Sequence, residues 1–153
     1  MVRFRLELAA DADVDADDFA RGHVTIHGSE GTASSRGSDP DQSMWLFPSA
    51  VELLDGVRRF LDDGTTRYEF VGVDSSFQFV LERETGERIR VVHGGELIET
   101  VDETELVRAV WNAVSSLDAR YRRQLDQHGA VVADLRAAIE EFDRAFGLRE
   151  RTD

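Results

Sequence analysis

The 153 residues contain no cysteine and no lysine, and only two prolines. Without cysteine there is no disulfide framework, no thiol catalysis, no iron–sulfur cluster and no Cys-rich zinc site. Without lysine there is no P-loop lysine, no Schiff-base chemistry and no nuclease lysine; all 18 basic residues are arginine. Long apolar runs are also missing. Nothing approaches the ~20 residues that a membrane helix needs. Residues Met1 to Leu8 alternate polar and apolar instead of forming the apolar centre of a signal peptide. The expected location is therefore cytoplasmic, with no membrane partner. Positive charge is scarce: 31 acidic residues leave a net charge of −13. That balance argues against nucleic-acid binding, which depends on neutralising phosphates. Arginine without lysine fits GC-rich codon usage, and the acid excess fits a halophile's surface as well as a binding face; these readings stay open.

What is present fits one domain over residues 1–153. Val2, Phe4, Leu6 and Leu8 alternate as the buried face of a strand, and Val24 and Ile26 do the same between His23 and His27. Residues 28–43, rich in Gly and Ser, read as a flexible loop or a weakly paired edge hairpin. Met44 to Phe47 reads as a strand. Ser49-Ala50-Val51-Glu52 then reads as a capping box opening a helix, with Val51, Leu54, Val57 and Leu61 as its apolar stripe and Gly64 as its stop. Four short alternating runs follow at 67–73, 77–83, 88–92 and 97–101, separated by turn-forming residues; they predict a meander.

Asp102-Glu103-Thr104-Glu105 is a second capping signature. Beyond it an apolar stripe runs 4-3-4-3 from Val107 to Phe146, interrupted only by Asp118 and His128. The region 103–147 is thus one long or kinked helix, about 67 Å at 1.5 Å per residue, or an αα-hairpin folded back near Gly129. The continuous form is preferred, since no strong cap precedes Ala130. It would leave Val132, Leu135, Ile139, Phe142 and Phe146 exposed, and these five are the expected seam of a homodimer.

Candidate chemistry is sparse. Asp11, Asp13, Asp15 and Asp17 fail the calcium-loop register, because Ala16 stands where glycine is required and Gly22 where glutamate is required. His23 and His27 lie four strand residues apart, about 13 Å, too far for one metal. His93 lies in a turn and His128 on the helical stripe. No nucleophile elbow or phosphate loop occurs. Trp45, Phe47, Tyr68, Phe70, Phe77 and Phe79 suit a core better than a ligand pocket. No catalytic residue, metal or cofactor is expected.

The runs Val73-Asp74-Ser75-Ser76-Phe77-Gln78-Phe79 and Gly94-Gly95-Glu96-Leu97-Ile98, with the helix Glu105 to Trp111, resemble small acidic proteins of GC-rich bacteria. Some of these are similar to immunity proteins of bacterial toxin systems. The resemblance covers roughly residues 44–125, and it implies an interaction protein without a catalytic motif. The expected fold is α+β: an antiparallel sheet, one inserted helix, and a long C-terminal helix or αα-hairpin. The expected function is a non-enzymatic interaction module, immunity-like in its sharpest form, that binds itself and a basic protein. The alternative is a small-ligand-binding protein or an unrecognised enzyme with a pocket between sheet and helix.

Overall fold

The computed structural model describes residues 1–10, 20–125 and 129–148. The aspartates at 11, 13, 15 and 17, and His128, lie outside the described residues. The fold is α+β, and the strands form two antiparallel sheets rather than one. In the first, β1 (Arg3–Leu8) pairs with β2 (Arg21–His27). The short strands β3 (Thr32–Ser34) and β4 (Met44–Trp45) both pair with β2. Helix α1 (Leu46–Asp63) leads to the second sheet, a meander of β5 (Arg67–Val71), β6 (Gln78–Arg83), β7 (Ile89–His93) and β8 (Glu96–Val101). Helices α2 (Glu103–Tyr121) and α3 (Ala130–Phe146) complete the chain.

The alternation seen in the sequence sets the core. Val2 just ahead of β1, Phe4 and Leu6 within it, and Val24 and Ile26 of β2 are buried, as are Phe79, Leu81, Ile89 and Val91 of the meander. The two sheets meet through Phe4 and Phe79, whose ring centres lie 5.6 Å apart, and Phe70 stacks on Phe79 at 5.0 Å. Residues 28–43 hold β3, and the tip of the β2–β3 hairpin reaches the last strand of the meander: the Glu30 amide donates to the Ile98 carbonyl at 2.9 Å.

Helix α1 begins three residues before the expected capping box. Its first residue is Leu46, and Trp45 at the cap position makes no side-chain cap bond. Pro48 is tolerated in the first turn, where the amide has no intrahelical partner. Ser49 and Glu52 work across the fold instead: the Ser49 hydroxyl accepts from the Val73 amide at 2.9 Å, and Glu52 accepts from the Tyr68 hydroxyl at 3.1 Å. Gly64 ends the helix in the left-handed conformation (φ 64°). Asp102 caps α2 as expected, accepting from the Glu105 amide at 2.8 Å.

The preferred continuous C-terminal helix does not form. Helix α2 stops at Tyr121, and α3 starts after Gly129, whose backbone is extended (φ −74°, ψ 153°). Helix α2 lies against β1, and α3 lies along α1. Val132, Leu135, Ile139 and Phe142, expected at a dimer seam, are therefore buried inside one chain, at 5% exposure or less, and Phe146 is partly buried. Two helices facing one core carry the same apolar phase as a single helix, and folding back covers the stripe at once. Trp111 of α2 stacks on Phe142 of α3 at 6.2 Å, and Arg58 of α1 bridges to Glu141 at 3.2 Å. The exposure that called for a second copy at this seam is absent.

Candidate interaction surface

The placement of β1 defines the feature on which a functional reading can stand. Its partner β2 carries β3 and β4 along its other side, so among the described residues no strand pairs with the far edge of β1. Which backbone groups face that edge follows from two sets of bonds. The Ala9 amide donates to the Arg21 carbonyl at 3.0 Å, and directly opposed pairs in an antiparallel ladder alternate between bonded and non-bonded. The bonded pairs are therefore Glu7 with His23, Arg5 with Thr25 and Arg3 with His27. Val24, opposite Leu6, confirms the alternation: it turns its amide to the Ser35 hydroxyl and its carbonyl to the Ser35 amide, both 3.0 Å, away from β1. The backbone groups of Val2, Phe4 and Leu6 accordingly point outward. The Val2 amide is taken by Glu105 of α2 at 3.2 Å. Those of Phe4 and Leu6 have no strand to pair with.

Between this edge and α2 runs an open groove of about 850 Å³. Residues 1–7 form one wall, and Phe4 and Leu6 belong to it although their side chains are in the core. On the helix wall the small side chains Ala109, Ala113 and Ser116 recur about one helical turn apart, with Asn112 and Leu117 beside them. Arg3 and Arg5 flank the strand wall and Arg120 the helix wall. Arg5 pairs with Glu7 at 2.9 Å, and Glu7 also takes Arg36 at 3.0 Å. Neither Arg3 nor Arg120 has a carboxylate within ion-pair distance among the described residues. A smaller groove of about 290 Å³ continues past Met1 between Asp102, Glu105 and Arg108, and its flank is acidic on balance there. Up to Trp45 the described residues balance four arginines against four carboxylates, in a chain of net charge −13. The groove is thus an arginine-flanked strip on an acidic protein.

The polar side chains with chemical potential are engaged in holding the fold. His23 shares a 3.0 Å hydrogen bond with Ser35, while burial and then the nearby Arg36 push its pKa down. Asp41 is held below the usual carboxylate range by the Ser43 amide and hydroxyl, 2.9 and 2.8 Å away. His93 bonds the Gln78 carbonyl at 2.7 Å and stacks on Phe77. His27 lies 3.5 Å from the Thr32 hydroxyl. Burial raises the Tyr68 phenol far above its ordinary value, and the Glu52 carboxylate adds to the effect.

Glu99 is nearly buried. Burial pushes its carboxyl up, but the Ser29 amide at 2.8 Å, Glu105 and the terminal ammonium outweigh that and hold it low. Asp118, the polar break in the helical stripe, pairs with Arg122 one turn later. Among the described residues no three His, Asp or Glu side chains gather as a metal site would need, and no helix is long and apolar enough to cross a membrane.

Of the aromatic residues weighed as a pocket lining, Phe47, Phe70, Phe77 and Phe79 are fully buried in the core, Tyr68 packs against it and Trp45 is half-buried. No family model, curated protein or solved structure matches this chain. The sequence reading missed the groove. Alternation in β1 marks a strand with one buried face, and the small residues at 109, 113 and 116 mark a narrow helix face. Neither pattern says that the two lie side by side.

Proposed function

We propose that this chain is a non-enzymatic protein-binding module, in its sharpest form an immunity-type inhibitor that acts by surface complementarity. One observation carries the reading: a groove of about 850 Å³ runs the length of a strand edge that no other described strand covers. Such an edge is a template for another chain, and proteins that keep one open use it or shield it. The sheet–helix interior that a small-ligand site would occupy is filled by Phe47, Phe70 and Phe79. The basic partner suggested by composition rested on the charge of the whole chain, which differs in sign from the groove's flanking side chains.

The test uses the wild-type protein and Ser116→Trp, a change at an exposed position that fills the groove, immobilised side by side in native lysate. A protein retained stoichiometrically by the wild type and lost from the variant, with unchanged circular dichroism, supports the proposal. Equal retention by both, or no partner for either, overturns it.

A further inference from the structure

We infer that the groove receives an acidic, extended segment of a partner protein as an added strand on β1. The inference rests on the protein-binding reading and names the chemistry of what binds. Three observations converge. First, the outward amides and carbonyls of Phe4 and Leu6 form the alternating donor–acceptor row that a strand requires, and Val2 shows that this row does bond outward, since its amide reaches Glu105 at 3.2 Å. Second, the helix wall opposite is lined mainly by short side chains, Ala109, Ala113, Ser116 and Ala119, with Asn112 and Leu117 between them. Third, the flanking charge is positive: Arg3 and Arg5 project from the outer face of β1, Arg120 stands on α2, and only Glu7 opposes them along the strand.

These features dictate the pattern of the guest. A strand's side chains alternate between its two faces. On the outer face they lie beside Arg3 and Arg5, about 5 Å away across the ladder, where a carboxylate is favoured and a like charge is not. On the inner face they meet the alanine and serine surface of α2, where a small or β-branched apolar side chain fits. The guest is therefore a segment of about six residues in which acidic and apolar side chains alternate, held by backbone bonds along its length. A basic segment would place its charges against Arg3, Arg5 and Arg120. Acidic groups farther than about 8 Å are largely screened at physiological salt, so the carboxylates that oppose this contact are Glu7 and, at the Val2 end, Glu105.

The probe is the octapeptide acetyl-(Glu-Val)4-amide, titrated into the full-length ¹⁵N-labelled chain, with acetyl-(Lys-Val)4-amide as its charge-reversed counterpart. The expected result is saturable shifts of the Phe4 and Leu6 amides with the acidic peptide. Affinity should fall at least tenfold in Arg3→Gln/Arg120→Gln, and also when alternate peptide nitrogens are methylated to remove their donors. Equal or tighter binding of the lysine peptide overturns the acidic assignment. Shifts confined to other surfaces, or binding indifferent to N-methylation, overturn strand addition. Failure of both peptides overturns the inference while leaving the protein-binding reading intact, provided that Ser116→Trp still releases a captured partner; if it does not, both fall together.

Discussion

The ring of Tyr68 lies against Gly56, so that a β-carbon at position 56 would run into the phenol hydroxyl and its ring carbon. The hydroxyl, so admitted, donates to the Glu52 carboxylate at 3.1 Å and ties β5 to α1. Gly56 costs the helix up to about 1 kcal/mol in propensity relative to alanine, and the close approach of Tyr68 is what that cost permits.

Gly56→Ala should therefore destabilise the protein by about 1–3 kcal/mol, as overpacking does, despite its better helix propensity. In a Tyr68→Ala background the same change should become neutral or stabilising. Urea denaturation of the four proteins in this cycle measures the reversal, and an equal loss in both backgrounds contradicts the account.

Arg83 should prove costly to replace. Its guanidinium donates to the Phe60 and Thr65 carbonyls at the end of α1 (3.1 and 2.8 Å), bridges Glu103 at 3.1 Å, and lies 4.7 Å over the Phe60 ring. Arg83→Ala should lose about 1–2 kcal/mol, through the part-buried Phe60 carbonyl left unpaired, while the exposed Thr65 carbonyl takes water instead. Arg83→Lys should recover little of it, because an ammonium cannot present the same fork. Thermal unfolding of the two variants, compared with wild type, decides the matter.

Phe142→Ala should lower stability by about 3–5 kcal/mol, since it empties a fully buried site between the helices. The loss should be the same at low and high protein concentration. A midpoint that rises with concentration in the wild type and not in the variant would place this residue at a subunit contact instead.

Stability should also fall on mild acidification through His23. Its folded pKa lies below the unfolded value of 6.5, so the unfolded chain binds the proton more readily. The contribution is complete above about pH 6.5 and is lost as the pH falls through the lower folded value. Arg36→Gln should raise the His23 pKa, readable by NMR titration, because it removes the second of the two depressing causes. His23→Gln should flatten the urea midpoint between pH 7 and 5.

Local structure was legible in the sequence and spatial adjacency was not. The four meander runs, the Asp102 cap and the Gly64 stop all follow from rules that act within a few residues, and each sits where those rules put it. The misplaced start of α1 shows the limit: Ser49 and Glu52 satisfy a local pattern, but Val73 and Tyr68 compete for the same oxygens and win. The 4-3-4-3 stripe reports that Val132, Leu135 and Phe142 face something apolar; it is silent on whether that is α1 or a second copy. The groove needed both the pairing of β1 with β2 and the docking of α2, two long-range facts that no short pattern encodes.

The pairing of α3 with α1 also sets an order of events during synthesis. Arg58 and Glu141, which bridge the two helices, are 83 positions apart, an interval that a ribosome adding 5–20 residues per second takes roughly 4–17 s to translate. Throughout that time the part of α1 that α3 covers has left the peptidyl-transferase centre, while its neighbours β1, β2, β4 and β5 are already made or come first. For those seconds one face of α1 waits for α3, and a chaperone or the same face on a neighbouring ribosome competes for it.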